Sequence, residues 1–206
     1  MLVLEGPECT GKTTLANRLM ETFNAPMHKM VAIAARFNCM QSVCNDIAQQ
    51  QLRNLGVGAN LVIYDRWQLV SDQIYHPLYN KQPSMFTEME EVFSNVCIEA
   101  GILMVYVDVT LEEMYSRFQG RGDALVDYHT AGVLHTKYQD FFAGTKLPYI
   151  HVMTDSKSTE EVMEEIILKA QTFEHTRDVS RQLEHKLILK RLKEDNAKDS
   201  TIVEEE

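Results

Sequence analysis

The sequence predicts a doubly wound α/β fold, a three-layer α/β/α arrangement on about five parallel strands. Three observations carry that expectation. Short apolar runs alternate with helix-period segments along most of the chain. A glycine-bearing loop joins the first apolar run to the first helical one. Finally, 206 residues, 45% of them hydrophobic, suffice for one domain with a sizeable core.

The elements follow in order. Met1-Leu2-Val3-Leu4 reads as a buried strand and Thr14 to Met20 as the first helix. A short second strand falls within Ala25 to Val31. From about Ala34 to Leu55 apolar residues recur at mostly helical spacing, until Gly56 stops the run. Leu61-Val62-Ile63-Tyr64 is a third strand, and Gln68 to Tyr75 is helical, broken by Pro77. Thr87 to Glu99 is amphipathic, with Met89, Val92, Phe93, Val96 and Cys97 on one side. Ile102 to Val107 is a continuous apolar run, as befits a parallel core strand. Thr110 caps the next helix and Glu113 completes a capping box. A helix from Thr130 to Phe142 and a strand from Tyr149 to Val152 come next, and Ser158 to Glu161 caps a further helix. From about Glu174 glycine and proline disappear, charges alternate, and Val179, Leu183, Leu187 and Leu192 recur at near-helical spacing. The expected division is therefore a domain over 1–173 and a charged helix and tail over 174–206, either solvated or packed on the domain or a partner subunit.

Composition excludes several function classes. The formal net charge of −10 argues against a nucleic-acid-binding surface, which needs a basic stripe. A nucleotide site remains compatible with it, being local. No apolar stretch reaches the roughly 18 residues of a membrane span. The first strand starts at once, without a basic region or cleavage site, so a cytoplasmic protein without membrane partners is expected. Cys9, Cys39, Cys44 and Cys97 form no C-x-x-C pair and no zinc spacing with histidine, which suits reduced thiols.

Three segments carry chemistry. Gly6-Pro7-Glu8-Cys9-Thr10-Gly11-Lys12-Thr13 matches G-x-x-x-x-G-K-[ST] at every fixed position and lies between a strand and a helix, the context the motif requires. Its glycines let the backbone wrap an anion, and amides at a helix N-terminus point at it. Lys12 adds a mobile cation for the β- and γ-phosphates, and Thr13 offers a hydroxyl to magnesium. Asp65-Arg66-Trp67 follows the third strand. If that strand neighbours the first, Asp65 lies beside the loop, where a carboxylate can hold magnesium. Arg66, a forked guanidinium, then suits a phosphate, with a strand-end ion pair as the alternative. Arg117 and Arg121 lie four residues apart on one helix face, with Gly120 and Gly122 around them and Asp123 after. Paired arginines beside a flexible segment suit a lid over a transferring phosphoryl group, and a solvated helix face is the alternative.

In this order and spacing the segments resemble the thymidylate kinase family of nucleoside monophosphate kinases, and most of all its small phage-encoded deoxynucleotide kinases. The resemblance covers Met1 to Val152. It rests on Leu4-Glu5-Gly6-Pro7-Glu8, Tyr64-Asp65-Arg66-Trp67, Ser71 to Tyr79, and Arg117 to Asp123 with Tyr138. It implies a P-loop kinase fold with a lid around 117–128. Gly6, Glu8, Cys9, Thr10, Gly11, Lys12, Thr13 and Thr14 would hold ATP, and Thr13 and Asp65 the Mg2+. Arg66 would bind the acceptor phosphate and Glu8 the sugar 3′-hydroxyl, with Arg36, Phe37, Asp65, Trp67 and Tyr75 lining the acceptor side. Lys12, Arg66, Arg117 and Arg121 would be catalytic; with Cys9 following Glu8, the lid must supply the catalytic arginine. Dimers are common in the family, so a homodimer is open. The family often has R-E-P after the second strand; here only His28-Lys29 and then Arg36-Phe37 occur, which leaves the base open between Arg36 and Arg53 as readers. The implied reaction is γ-phosphoryl transfer from ATP to dTMP or a related deoxynucleoside monophosphate. A deoxynucleoside kinase and a non-catalytic nucleotide-binding protein are the competing expectations.

Overall fold

The computed structural model describes residues 1–29, 61–67, 70–71, 73–75, 86–121 and 127–174. The expected helix over 34–55, Arg36, Phe37, Arg53, Gly122, Asp123 and the tail beyond 174 lie outside them. The chain divides into two compact units, Met1–Ile167 and Leu168–Glu206. Of the second unit, residues 168–174 are described and are helical.

The first unit is built on β1 (Leu2–Glu5), β2 (Met27–Lys29), β3 (Ile63–Asp65), β4 (Leu103–Asp108) and β5 (Tyr149–Met153), with helices α1 (Lys12–Phe23), α2 (Phe86–Ala100), α3 (Leu111–Arg121) and α4 (Tyr128–Gly144). Residues 159–167 add a further helical stretch. The strands form one sheet in the order β2-β3-β1-β4-β5, and every pairing is parallel. This is a three-layer α/β/α fold with five parallel strands. The order reverses beside β1, and in such sheets a ligand crevice opens at the carboxyl ends of the strands on either side of that reversal.

Parallel strands are covered on both faces, so they read as unbroken apolar runs. β4 is buried at all six positions and β1 at all four. Register sorts the side chains: Val3, Tyr64 and Met104 are level across β1, β3 and β4, and Glu5 is level with Tyr106. Side chains two apart share a face, so Val3, Glu5, Tyr64, Met104 and Tyr106 point one way. There Val3, Tyr64, Met104 and Tyr106 join Cys97 of α2 and Tyr138 and Phe142 of α4 in one core cluster, with Trp67. The Tyr106 ring stacks on Phe142 at 4.3 Å between centroids.

Two connections bear on function. Gly6 is dictated by crowding: a Cβ there would sit 2.1 Å from the Val107 carbonyl oxygen, so the phosphate loop leaves β1 pressed against β4. The turn from β4 into α3 is pinned by buried Asp108, which accepts from the Val109 amide at 2.8 Å and lies 3.2 Å from His135 and from His151. The His135 ring nitrogen also approaches the Val109 carbonyl at 2.8 Å.

The two capping boxes differ. At Ser158 the box is reciprocal: the Glu161 amide donates to the Ser158 hydroxyl at 3.2 Å, and the Ser158 amide donates to Glu161 at 2.7 Å. At Thr110 it is half formed. The Glu113 amide donates to the Thr110 hydroxyl at 3.4 Å, but the Thr110 amide and hydroxyl donate to Asp155 instead, and Glu113 turns to Arg117. A carboxylate from the β5 exit replaces the one three residues on. None of the described helices is long and apolar enough to cross a membrane.

Candidate active site

The phosphate loop owes its shape to two left-handed residues. Gly11 has φ 89 and Cys9 φ 62. Gly11 adopts it freely, whereas Cys9 does so at a cost of about 1 kcal/mol or more. Within the loop the Thr10 hydroxyl donates to the Pro7 carbonyl at 3.1 Å. The Lys12 ammonium donates to that same carbonyl and, at 3.2 Å, to the Thr10 hydroxyl. Burial lowers the Lys12 pKa and nearby Arg66 lowers it further, with Glu8, Glu5 and Asp65 opposing. A polyanion in the loop would reverse that balance, because its charge favours the ammonium form.

Asp65 ends β3, the strand next to β1: Leu4 is level with it, and its Oδ2 accepts from the Thr13 hydroxyl at 2.7 Å. A hydroxyl and a carboxylate side by side, both hard oxygen donors, fit a magnesium ion that keeps its other positions for water and phosphate. Among the described residues no cluster of three or more His, Cys, Asp or Glu could hold a metal, which agrees with so sparse a donor set.

Arg66 stands next, at φ 74, a conformation that non-glycine residues seldom adopt. Three contacts hold it. Its amide donates to the Leu4 carbonyl at 3.0 Å, one guanidinium nitrogen donates to the Tyr138 hydroxyl at 2.6 Å, and another pairs with Glu8 at 2.9 Å. Burial pulls its pKa down, but Tyr138, Glu8, Glu5 and Tyr75 outweigh burial and hold it above the ordinary arginine value. Glu8 in turn accepts from the Tyr75 hydroxyl at 2.7 Å, and Arg66 lies 6.0 Å from the Tyr75 ring. The Tyr75 phenol is pushed up by burial, so it stays a donor.

These residues enclose one cleft of about 170 Å³, lined by Glu8, Cys9, Gly11, Lys12, Thr13, Thr14, Asp65, Arg66 and Arg121. The structure thus brings Lys12, Arg66 and Arg121 to one cavity. Five other expected residues among those described, Gly6, Thr10, Trp67, Tyr75 and Arg117, do not line it. Trp67, expected on the acceptor side, is 1% exposed and belongs to the core cluster rather than to the cleft lining. Arg117, expected beside Arg121, points behind the loop: it pairs with Glu113 at 2.8 Å and donates to the Cys9 carbonyl at 3.2 Å. One helical turn carries the C-terminal end of α3 over the cleft while Arg117 stays at its root. Gly6 and Thr10 are buried within the loop. A second cavity, about 240 Å³, opens on the other side of the loop between Thr10, Gly11, Thr14, Arg117, Thr154, Lys157 and Ser158.

Sequence reasoning missed Glu5 as a site residue. It is 0% exposed, and one carboxylate oxygen accepts from the Trp67 amide while the other has no hydrogen-bond partner. Burial raises its pKa, opposed by Arg66, the Trp67 amide and Lys12. Glu5 is therefore the buried acceptor that holds the Asp65-Arg66-Trp67 turn against the end of β1, through the Trp67 amide. A signal existed: an acidic residue two positions after Val3 on a fully buried strand points into the core and must have a partner.

No family model matches the chain. It is 25% identical over 167 residues to the SPbeta prophage-derived uncharacterized protein YorR of Bacillus subtilis (strain 168), over 81% of this chain and 96% of that protein. Among solved structures, YorR in complex with phosphorylated GDP superposes with a TM-score of 0.66 at 18% identity, over 84% of this chain and 97% of that one. Deoxyadenosine kinase from M. mycoides with bound dCTP gives 0.54 at 17% identity, over 84% and 100%. The same kinase with bound dATP gives 0.52 at 16%, over 82% and 98%. The matches span nearly the whole of those chains, and they agree with the parallel sheet and strand–loop–helix entry found here. The chain has the P-loop kinase fold.

Proposed function

We propose that the protein is an ATP-dependent deoxynucleoside monophosphate kinase, similar to thymidylate kinases, acting on dTMP or a related deoxynucleotide. The observation that carries this reading is the single cleft shared by Lys12, Arg66 and Arg121. Three cations around one cavity suit two anionic substrates meeting end to end, since their mutual repulsion is the main obstacle to binding both. Relatives of this fold whose structures hold GDP-like, dATP or dCTP ligands support a nucleotide in the cleft.

The roles follow from the geometry. The loop amides and Lys12 hold the donor phosphates, and Thr13 and Asp65 hold magnesium, which when bound neutralises charge on the phosphate oxygens. Arg66, fixed by Tyr138 and Glu8, orients the acceptor phosphate. Arg121 stands at the cleft's edge, where it can face the transferring group. The nucleophile is already an anionic phosphate oxygen, so no strong base is needed. That suits carboxylates that are both engaged: Glu8 with Arg66 and Tyr75, Asp65 with Thr13. A second reading, transfer to a nucleoside 5′-hydroxyl, is favoured by the half-exposed position of Glu8, where it could take the proton.

The test is ATP-dependent ADP release with each common deoxynucleoside and its monophosphate. A kcat/KM for one monophosphate at least about 10-fold above that of the nucleoside is expected. Preference for the nucleoside would transfer the assignment to the hydroxyl reaction, with Glu8 as base. ATP binding without ADP release from any acceptor would point to a non-catalytic nucleotide-binding protein. In the same assay Arg66→Ala should raise KM for the acceptor far more than for ATP, and equal effects would remove Arg66 from the acceptor side.

A further inference from the structure

All three guanidinium nitrogens of Arg117 are engaged. Nε pairs with Glu113 at 2.8 Å, one terminal nitrogen donates to the Cys9 carbonyl and to the Thr154 hydroxyl, both at 3.2 Å, and the other donates to the Thr154 carbonyl at 3.3 Å. Thr154 continues the chain of contacts. Its hydroxyl lies 3.2 Å from the Thr10 carbonyl and 3.2 Å from the Asp108 carbonyl, and its amide donates to Asp108 at 2.9 Å. Two consecutive carbonyls of the phosphate loop, those of Cys9 and Thr10, are therefore gripped from behind by α3 and by the exit of β5.

That grip has a consequence for the loop's other side. In a trans peptide the carbonyl and the following N–H point in opposite directions. Fixing the Cys9 carbonyl toward Arg117 turns the Thr10 amide away from it, and fixing the Thr10 carbonyl toward Thr154 does the same for the Gly11 amide. These are amides of the anion-binding loop. Cys9 is also the loop's strained non-glycine residue, at φ 62, so its peptide needs an external hold to stay in place.

We propose that Arg117 is a positioning residue: it sets the orientation of the phosphate loop's amides through the Cys9 and Thr10 carbonyls, and Arg121 is the only α3 arginine that faces the reacting phosphates. The proposal rests on the reading of the loop as the donor-phosphate site. Its rivals are direct contact of Arg117 with the donor nucleoside through the second cavity, which it lines, and direct action on the transferring phosphoryl group.

Titration calorimetry with magnesium tripolyphosphate and with ATP separates these, because tripolyphosphate has no nucleoside. Arg117→Ala is expected to weaken both ligands by the same factor, about 10-fold, the loss typical of one charge-assisted hydrogen bond. Turnover at saturating ATP should change less than about 3-fold, so the loss falls on KM for ATP rather than kcat. Arg117→Lys, which keeps the charge but not the fork, should fall between. Thr154→Val provides a second variant on the same chain of contacts and should weaken both ligands in the same direction, should Arg117→Ala fail to fold. Weakening of ATP alone would assign Arg117 to the nucleoside; a fall in kcat with both affinities intact would assign it to the phosphoryl group; either overturns the proposal. Wild-type protein that binds neither ligand overturns the donor-site reading, whereas wild type that binds both while the variants lose nothing overturns only the role of Arg117.

Discussion

Lys12 is buried and Arg66 half-buried, and the turn that carries Arg66 is held by Glu5. The Glu5 carboxylate holds the Trp67 amide, and that peptide follows the strained Arg66. Glu5→Ala leaves a buried donor unpaired, which costs about 1–3 kcal/mol, and should raise KM for the acceptor. Glu5→Gln should restore most of both effects, because its amide oxygen accepts the same bond. Thermal unfolding and acceptor KM measured on the two variants check this; glutamine as damaging as alanine would mean that charge, not the hydrogen bond, is what Glu5 supplies. Lys12 gives a proton-linked prediction. Burial and Arg66 hold its pKa below the ordinary 10.5, and donor phosphates would raise it. Between the two values the free protein is the less protonated, so ATP binding takes up a proton, and ATP affinity falls as pH rises through that interval. Calorimetry at about pH 9 in buffers of different ionisation enthalpy measures the uptake; release of protons would contradict it. Lys12 and Thr13 were legible because a phosphate loop fixes residue types at fixed spacing, and Arg66 because it follows a strand expected beside the first one. Glu5, Tyr138 as the holder of Arg66, and the diverging directions of Arg117 and Arg121 were not, because each depends on which face of an element meets which neighbour.

At the scale of elements, the strand and helix bounds among the described residues came out within about two or three residues of the apolar patterning, as a parallel sheet with buried central strands should allow. β3 ends one residue later than expected, at Asp65, since that residue still pairs in register with Leu4. The capping box at Ser158 is local, and its replacement by alanine should remove about 1 kcal/mol and lower the melting temperature by about 2–4 °C. No change would show that the box contributes nothing. The half-formed box at Thr110 illustrates the limit: Asp155 takes the role of Glu113 from 45 residues away, and no local pattern announces that. Gly6 belongs here too. Gly6→Ala would force a methyl group to within 2.1 Å of the Val107 carbonyl and is expected to yield protein that is insoluble or has lost phosphate binding, as read by soluble yield, circular dichroism and ATP titration. Wild-type behaviour of that variant would mean that β1 and β4 separate more readily than the packing suggests.

For the whole molecule, the phosphate loop joins β1 to α1, rests against β4 through Gly6 and is braced by α3 and the β5 exit through Arg117 and Thr154. A ligand in the cleft would therefore rest on a loop anchored to several elements. ATP at a hundredfold excess over its Kd should stabilise the folded state by about 2.7 kcal/mol, seen as a rise in the unfolding midpoint. Lys12→Ala should remove that rise while the free variant keeps its fold. A shift that survives the substitution would place the nucleotide elsewhere. The net charge of −10 does not oppose such binding, because the cations that matter are gathered at three positions from distant parts of the chain.

What the sequence determined by itself was the alternation of strands and helices, the phosphate loop and the chemical types available at its rim. These are encoded locally, in periodicity and in motif spacing. Only the tertiary structure decided that Glu5 accepts from the Trp67 amide, that Trp67 is core, and that Arg117 grips the loop from behind while Arg121 faces the cleft. Those outcomes depend on strand order and on the one-turn rotation of a helix over a sheet, and such long-range geometry leaves no mark in residue spacing.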